Sequence, residues 1–392
     1  MFAKGADGMD LETAETRAQE ASLRASAGDA LAGGAPAGTA MQACEVPGRR
    51  SRPSGNAARE WNLWIIARAV CILMLVLVIT PQSNARARGT ITYRNPVFRI
   101  DYPDPYVLRV GGTYYAYGTT AGWQGLNKLF PVLRSTDLTH WRYVADALTS
   151  TPSWGVGDWW APDVVVRNGT YYLYYVGKSL TLNVHCIGVA TAHSPTGPFQ
   201  DHGSLACGDG KGQGYIDPAP FIDSDGKAYL YLSVDDPYHN VSVLPLTAGM
   251  LHAAGPRREL FTLSQPWEHG PSFSTVEGPF MVKHAGIYYL FYSGNDWQHD
   301  YAMGYATAKS PLGPFTKYAR NPILHGTDSV IGPGGGSIFQ DTRGRWWLAY
   351  HAWEGGPGYE SGGVRNLRID PVSFHNGVVS VHGPTTKRQA GL

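Results

Sequence analysis

One sequence pattern occurs five times along the chain, and this repetition constrains the fold more than any other feature. Each copy has a small or acidic residue, an apolar segment, a Gly-containing turn and an aromatic segment. The copies begin 54 to 60 residues apart, at Asp104, Asp163, Asp217, Glu277 and Gly336. A fixed period of this length is typical of architectures built from one repeated supersecondary unit.

Each copy predicts a hairpin, because turns such as Asn168-Gly169 separate its apolar and aromatic segments. A four-stranded blade cannot bury both of its faces alone, whereas five blades packed radially bury one another. The predicted fold class is therefore all-β, a single five-bladed β-propeller over residues 92–392. A sandwich or a long solenoid is the alternative, but a sandwich does not require so regular a period. Helices should be few, because no stretch after residue 92 has a 3.6-residue periodicity.

A second, shorter motif recurs between the copies. The sequence Ser-Pro-x-Gly-Pro-Phe occurs at Ser194–Phe199 and at Ser310–Phe315, after the second and the fourth copy. In both places an alternating segment that is typical of a strand precedes it. This agreement supports a third and a fourth strand in each blade.

Residues before the repeats differ in composition. Residues 1–60 are rich in Ala, Gly, Ser and charge, and they predict a disordered leader. Residues 61–88 contain the apolar run Ala69–Ile79, with arginines before it and small residues after it, which indicates a signal peptide. Residues 61–80 are also just long enough to act as an uncleaved signal anchor. We therefore expect a secreted or periplasmic protein, anchored to the membrane if the segment is retained.

The cysteines agree with export, and the net charge bears on which partners the protein can have. Cys186 and Cys207 lie in the repeat region, and in an oxidising compartment we expect them to form a disulfide; two separate buried thiols are the alternative. The formal net charge is +1, which gives no indication of nucleic acid as a partner. The sequence also has 12 Trp and 23 Tyr, whose rings either pack the blades or stack on sugars.

Four of the five copies begin with a carboxylate, at Asp104, Asp163, Asp217 and Glu277, and the fifth begins with Gly336. If the first strand of each blade lines the central channel, these side chains converge at one end of it. Converging like charges raise one another's pKa, a cost that favours a functional site over a set of strand caps. Two carboxylates suffice for glycoside hydrolysis, one protonated and one ionised. Glu277 is the preferred acid, because its longer side chain reaches further into the pocket.

At these residues the chain resembles glycoside hydrolase family 43. The motifs that carry the resemblance run from Asn95 to Asp370: Asn95-Pro96, Tyr102-Pro-Asp-Pro105, Trp160-Ala-Pro-Asp163, Ile216-Asp-Pro218, Asp223-Ser-Asp-Gly226 and Glu277-Gly-Pro279. The resemblance implies that Asp104 is the general base, Asp217 the modulator of the acid's pKa and Glu277 the general acid. It makes Asp163 a pocket residue. It also implies inversion at the anomeric carbon, with base and acid about 6.5–9.5 Å apart.

The sequence departs from the family in the fifth blade. Many arabinan-cutting members carry His after a Gly-Pro-Gly segment, near an axial calcium, and here Gly335 takes that place. We therefore expect that no cofactor is required. A structural calcium remains an open alternative in which His351 compensates, and His351 is otherwise a core histidine. Weaker candidates for the sugar pocket are Trp123, Phe130, Trp159, Trp160, Trp297 and Arg368.

The expected function is that of an inverting pentosidase. An α-L-arabinofuranosidase or exo-arabinanase is preferred to a β-xylosidase, and the partner is an arabinose- or xylose-containing carbohydrate bound by a monomer. A non-catalytic carbohydrate-binding propeller is the alternative from another class, although Asp104, Asp217 and Glu277 are all present. A fructosidase-like propeller would instead use a retaining pair of carboxylates about 5–5.5 Å apart.

Overall fold

The computed structural model describes residues 92–390, apart from 124–125, 209–212 and 236–238. The predicted leader at 1–60 and the predicted signal or anchor segment at 61–88 lie outside the described residues. Within the part that is described, no helix has the length and apolar character needed to cross a membrane.

About half of the described residues belong to five four-stranded antiparallel sheets in which the strands follow chain order. The strands of the five sheets are, for blade 1, β2 (Tyr106–Val110), β3 (Thr113–Tyr117), β6 (Pro131–Ser135) and β7 (Arg142–Asp146); for blade 2, β8 (Trp160–Arg167), β9 (Thr170–Lys178), β10 (His185–Ala192) and β11 (Gln200–Cys207); for blade 3, β12 (Tyr215–Ile222), β13 (Ala228–Val234), β14 (Asn240–Leu246) and β15 (Arg258–Thr262); for blade 4, β16 (Val276–His284), β17 (Ile287–Gly294), β18 (Ala302–Ala308) and β19 (Thr316–Lys317); and for blade 5, β20 (Ile331–Gln340), β21 (Trp346–Glu354), β22 (Val364–His375) and β23 (Val378–Val381).

The remaining elements are small. Two further strand pairs and two short 3-10 helices are β1 (Thr92–Tyr93) with β24 (Gln389–Ala390), β4 (Ala121–Trp123) with β5 (Leu126–Lys128), Pro266–Glu268 and Tyr359–Ser361. The expectation of few helices is confirmed for the described residues.

The first strands of the blades form a closed ring. Strand β2 contacts β8, β8 contacts β12, β12 contacts β16, β16 contacts β20, and β20 returns to β2. The predicted five-bladed propeller is thereby confirmed. The aromatic second strands supply much of the core between blades, and Tyr174, Tyr231, Tyr292 and Tyr350 are all fully buried.

The ring is closed by residues 92–98, which we call the closing segment. Strand β1 pairs with β24, and Phe98 pairs with Leu367 of β22. The Asn95 side chain acts as a backbone surrogate, because its Nδ2 donates to the Ile369 carbonyl at 2.8 Å and its Oδ1 accepts from the Ile369 amide at 3.0 Å. The chain leaves this segment toward blade 1, so the closing segment ties blade 5 to blade 1.

The recurring Ser-Pro-x-Gly-Pro-Phe segments are junctions between blades. The Tyr117 hydroxyl of blade 1 donates to the Pro195 carbonyl of blade 2. In the same way the Tyr231 hydroxyl of blade 3 donates to the Pro311 carbonyl of blade 4, at 2.7 Å. The motif therefore presents a carbonyl to the tyrosine of the preceding blade.

A disulfide joins the two outer strands of blade 2. Cys186 of β10 and Cys207 of β11 lie directly opposite each other, and their sulfur atoms are bonded. The structure thus contains the disulfide that the sequence analysis expected.

Candidate active site

The innermost strands share a backbone feature at the end where the predicted carboxylates lie. Strands β8, β12, β16 and β20 each change register there, which marks a β-bulge. A residue with positive φ occupies the equivalent place in every blade: Asp104 (50°), Ala161 (45°), Asp217 (52°), Gly278 (59°) and Gly335 (55°). Proline follows this residue in four blades, and Gly336 follows it in the fifth.

This feature corrects the predicted equivalence of the four carboxylates. Only Asp104 and Asp217 occupy the positive-φ position; Glu277 lies one residue before it, and Asp163 lies two residues after its counterpart Ala161. The repeat in sequence therefore does not place the four at one structural position. A bulge puts two residues of one strand opposite one residue of its neighbour, and the normal alternation of side chains is locally lost. Carboxylates at three different offsets can consequently reach the same cavity.

All five innermost strands surround a cavity of about 390 Å³. The predicted site residues that line it are Asp104, Trp160, Asp163, Asp217, Glu277, Trp297 and His351. The proposed base, modulator and acid thus share one cavity, together with the predicted pocket residue Asp163.

Asp104 is held from both its backbone and its side chain. Thr119 Oγ1 donates to Asp104 Oδ2 at 2.6 Å, and Nη1 of Arg365 lies 3.7 Å from Oδ1. The Asp104 amide donates to Nδ1 of His351 at 3.0 Å. The carboxylate keeps some exposure to the cavity, with 24% of its side-chain surface accessible. The Asp104 carboxylate therefore contacts a hydroxyl donor and a cation, and solvent can still reach it.

Asp217 is bound to the strand that carries the proposed acid. Its Oδ2 accepts from the Gly278 amide at 2.9 Å and from Ser233 Oγ at 3.4 Å. Burial, followed by the charges of Glu277 and Asp104, raises the pKa of Asp217 well above its ordinary value, although the Gly278 amide opposes this shift. Asp217 therefore competes with Glu277 for a proton.

Glu277 has two differently bound oxygens. Its Oε1 accepts from the Tyr301 hydroxyl at 2.8 Å, and its Oε2 accepts a longer contact of 3.4 Å from Thr275 Oγ1. Burial raises the pKa of Glu277 to about 7; the charges of Asp104 and Asp235 add to the rise, while the bond from Tyr301 opposes it. Glu277 can therefore hold a proton near neutral pH, as a general acid must.

Asp163 lies deeper in the wall than the other three carboxylates. Its side chain is only 6% exposed. Burial raises its pKa well above the ordinary value, and the Val164 amide hydrogen bond offsets only part of that rise. A protonated carboxyl in this place could donate a hydrogen bond to a sugar oxygen as well as accept one.

Four of the weaker candidates do not line the cavity and are corrected here: Trp123, Phe130, Trp159 and Arg368. Trp123 is tied by its indole nitrogen to the Asp101 carbonyl, and Phe130 and Trp159 pack in the core around Tyr175. Arg368 is 3% exposed and donates to Asn366. Their bulk serves packing between blades, which sequence alone could not separate from a sugar-binding role.

The cation of the cavity is Arg365, which sequence reasoning missed. Its guanidinium lies 5.4 to 5.6 Å from the ring centroids of Trp297, Trp353 and Tyr359, and cation–π contacts of this kind hold it in place. Arg365 and Arg368 are both on β22, three residues apart, and strand alternation directs such residues to opposite faces. The sequence could therefore indicate that both arginines lie on one strand, but it could not show which of them faces the cavity.

A second group missed by the sequence analysis lies on the wall between blades 2 and 3. Nδ1 of His185 is 2.6 Å from Asp235, and Nε2 is 3.1 Å from Asp158. Burial opposes a charge on His185, yet the two carboxylates raise its pKa overall. The imidazole also packs 4.7 Å from the ring of Trp160. This contact fixes Trp160, a predicted pocket residue that is 36% exposed.

The surroundings of His351 decide whether it can replace the histidine that many arabinan-cutting family members carry at the position of Gly335. The Asp104 amide can only donate, so Nδ1 of His351 accepts, and the neutral ring carries its proton on Nε2. Burial lowers the pKa of His351 to about 3, so its 3.4 Å contact with Asp104 Oδ1 is not an ion pair. A Cβ atom at position 335 would lie 2.5 Å from this imidazole, which explains the glycine.

His351 and Gly335 do not fit a calcium site. Calcium prefers six to eight oxygen ligands, whereas a protonated ring nitrogen is a hydrogen-bond donor. The part of the chain that the structure describes contains no group of three or more His, Cys, Asp or Glu side chains suited to a metal.

Comparisons with known proteins agree with this geometry. The family model described as glycosyl hydrolases family 43 matches residues 93–379, which include all four carboxylates. A β-D-galactofuranosidase from Aspergillus niger is 30% identical over 71% of this chain and 84% of its own length. A non-reducing-end α-L-arabinofuranosidase from Bacteroides ovatus is 28% identical over 71% of this chain and half of its own length.

The solved structures agree as well. The crystal structure of a thermostable family-43 glycoside hydrolase superimposes with a TM-score of 0.69 at 34% identity, covering 76% of this chain and 98% of its own. Members of this family hydrolyse O-glycosyl bonds, and the carboxylates gathered in the cavity are the groups that this chemistry requires. From the family match over all five blades and these relatives, the chain belongs to glycosyl hydrolase family 43.

Proposed function

We propose that this protein is an inverting glycosidase that releases pentose units from plant-type polysaccharides or oligosaccharides. The observation that carries the proposal is the pair of environments around one cavity. Glu277 has a pKa of about 7 and can keep a proton, whereas Asp104 accepts a hydrogen bond from the Thr119 hydroxyl and faces the Arg365 guanidinium. One carboxyl is thus suited to give a proton, and the other to take one.

In the proposed reaction Glu277 donates its proton to the glycosidic oxygen, and the leaving sugar departs as an alcohol. Asp104 takes a proton from a water molecule, whose oxygen bonds to the anomeric carbon on the opposite face. The two carboxyl groups then exchange protons with solvent. Asp217 supports the acid, because burial and mutual repulsion keep one proton on the Asp217–Glu277 pair near neutral pH.

The substrate class is proposed from the relatives. Among the similar proteins are an α-L-arabinofuranosidase, an endo-α-(1→5)-L-arabinanase from Bacillus subtilis and a xylan 1,3-β-xylosidase from a Vibrio species. We place α-L-arabinofuranosidase or exo-arabinanase activity first and β-xylosidase activity second. The monomer would bind an arabinose- or xylose-containing carbohydrate.

A second candidate substrate is a β-D-galactofuranoside, because the Aspergillus niger relative that is 30% identical carries that activity in its name. Galactofuranose and arabinofuranose are both five-membered rings. Galactofuranose carries a two-carbon exocyclic chain where arabinofuranose carries one hydroxymethyl group. Discrimination between them would therefore depend on room in the cavity beside the ring.

The test is a panel of p-nitrophenyl α-L-arabinofuranoside, β-D-xyloside and β-D-galactofuranoside, with linear arabinan as the polymer. Wild type and Glu277→Ala are compared on each substrate. We expect hydrolysis of at least one pentoside by the wild type and its loss in the variant. If the wild type hydrolyses none of them but binds the polymer, the non-catalytic binding propeller replaces this proposal.

The stereochemical part of the proposal has its own test. Proton NMR of the first product formed during rapid hydrolysis identifies the anomer before it equilibrates. We expect the anomer opposite to that of the substrate. A product that retains the substrate's configuration would contradict the roles given to Asp104 and Glu277.

Export is proposed on the composition of residues 61–88 alone. The mature protein would be secreted or periplasmic, or held in the membrane by residues 61–80 if these are retained. N-terminal sequencing of the mature protein should begin near residues 86–88 if the segment is cleaved. If cell fractionation finds the protein in the membrane with residues 61–80 still attached, the result would support the anchor instead.

A further inference from the structure

Tyr301 is the closest hydrogen-bond donor to the proposed acid. Its hydroxyl lies 2.8 Å from Glu277 Oε1, while Thr275 Oγ1 lies 3.4 Å from Oε2 and is also 3.3 Å from the ring of His239. The stronger bond is therefore made to Oε1. The two oxygens of Glu277 are unequal before any substrate binds.

The position of the Tyr301 ring is fixed on two sides. Tyr301 is 4% exposed, and its ring stacks on His351 with centroids 5.9 Å apart and planes 13° apart. A Cβ atom at Gly334 would overlap this ring, so the glycine leaves the space that the ring fills. Burial also raises the pKa of the Tyr301 phenol well above its ordinary value, so the hydroxyl keeps its proton.

We propose that Tyr301 is a positioning residue that assigns the transferable proton of Glu277 to Oε2. A phenol has one hydrogen to donate, and in the observed arrangement that hydrogen occupies Oε1. A proton on Oε1 would compete with it, whereas a proton on Oε2 meets only the long contact from Thr275. This inference rests on the proposed role of Glu277 as the general acid.

The assignment also has a consequence for the reaction. When Oε2 gives its proton to the glycosidic oxygen, Glu277 becomes an anion that retains the hydrogen bond from Tyr301 at Oε1. Hydrogen bonds to the charged form favour that form. The other charged groups that face Glu277 are the carboxylates of Asp104, Asp217 and Asp235, and all three disfavour the anion. Tyr301 therefore offsets the repulsion that would otherwise hold the proton on the acid.

The first test is Tyr301→Phe, which removes the hydroxyl and keeps the ring stacked on His351. Loss of the donor raises the pKa of Glu277, so the alkaline limb of the kcat/KM profile should move to higher pH. Because the proton is no longer assigned to one oxygen, kcat on an arabino-oligosaccharide should fall about tenfold, which is less than the 10²–10⁴-fold typical of losing the acid itself, since Glu277 is retained. The p-nitrophenyl glycoside, whose leaving group needs less protonation, should lose less, and KM should change little.

Tyr305→Phe is the matched control. Tyr305 lies on β18, four residues from Tyr301, and its hydroxyl accepts from the Val379 amide at 3.3 Å outside the cavity. This variant should lose some thermal stability and keep the pH profile of the wild type. A shift of the alkaline limb in Tyr305→Phe as large as that in Tyr301→Phe would overturn the inference.

A second variant keeps the inference testable if Tyr301→Phe does not fold. Replacing Tyr301 by 3-fluorotyrosine through codon suppression retains the shape and makes the phenol a stronger donor. The alkaline limb should then move to lower pH, opposite to the Phe variant. An unchanged limb, or a shift to higher pH, would overturn the inference.

The outcomes separate this inference from the proposed function. If the wild type hydrolyses no glycoside, or if Glu277→Ala retains full activity, both fail together. If the wild type is active and Glu277→Ala is not, an unchanged profile in the Tyr301 variants removes only the role of Tyr301.

Discussion

At the scale of single residues, equal side-chain chemistry acquires unequal tasks from its neighbours. Asp104 has a hydroxyl at 2.6 Å and a guanidinium at 3.7 Å, while Glu277 has a phenol at 2.8 Å and three carboxylates around it. Asp104 thus contacts a hydrogen-bond donor and a cation, whereas burial and the neighbouring carboxylates favour the protonated form of Glu277 against the opposing bond from Tyr301. The difference between acid and base therefore follows from what each carboxyl contacts.

This difference predicts how two alanine variants respond to the leaving group. We expect Asp104→Ala and Glu277→Ala each to lose about 10²-fold or more in kcat on oligosaccharides, since each removes an acid or base group. Glu277→Ala should retain more activity on p-nitrophenyl glycosides, which need no strong acid, whereas Asp104→Ala should lose equally on both. The exposed turn variant Asp225→Asn is the control. Equal losses of Glu277→Ala on both substrate types would contradict its role as the acid.

The raised pKa of Glu277 also predicts a stability effect. The folded state binds more protons than the unfolded state between the ordinary value of 4.5 and about 7, so stability falls as pH rises through this window. Glu277→Gln removes the ionisation and should unfold a few degrees above the wild type at pH 8, at roughly 2–4 °C per kcal/mol. At pH 4 the gain should vanish. The midpoints are measured by calorimetry, and the variant Glu259→Gln, at an exposed position, is the reference. Equal midpoints of Glu277→Gln and the wild type at pH 8 would contradict the prediction.

At the scale of elements, the bulges explain how an ordinary blade becomes part of a site. A strand without a bulge alternates its side chains, and the cavity would receive every second residue. The positive-φ residues at 161, 217, 278 and 335 interrupt that alternation in blades 2 to 5, and the fifth such residue, Asp104, lies two residues before β2 begins. Aspartate at two of these positions is unusual, because non-glycine residues seldom adopt positive φ. Backbone conformation and carboxylate placement are therefore coupled at the site.

A substitution in the closing segment is expected to have the largest effect on stability. Asn95→Ala removes two hydrogen bonds to Ile369 and leaves its buried backbone groups without these partners, which costs about 2–4 kcal/mol. Thermal unfolding should then begin roughly 5–10 °C lower. The neighbouring exposed residue supplies the control, because Arg94→Ala loses only a surface contact with the Thr386 carbonyl. An unchanged midpoint for Asn95→Ala would show that the ring closes by other contacts.

At the scale of the whole molecule, the sequence predicted the architecture better than the details of the site. The period of the five copies and their Gly turns gave the blade number and the hairpins. The period could not predict the bulges, because Glu277 and Asp104 differ by only one residue in their structural position and this offset leaves the period intact. Nor could it separate Arg365 from Arg368, or Trp160 from Trp123, because the face of a strand and the direction of a ring depend on packing between distant blades.

The whole molecule should work without a metal. The neutral His351 ring carries its proton on Nε2 and Gly335 lacks a side chain, so we expect dialysis against EDTA to change neither kcat nor the thermal midpoint. Readdition of calcium should also have no effect. A midpoint that falls on chelation and recovers with calcium would show an ion bound by groups other than those considered for the fifth blade.

Pairing of β1 with β24 brings residues 92 and 390 into one small sheet. A short peptide could therefore join these two positions covalently, and the chain could be opened instead at an exposed hairpin such as Asn168-Gly169. A circularly permuted enzyme made in this way would start and finish within blade 2, and its catalytic groups would keep their spatial order while their order along the chain changed.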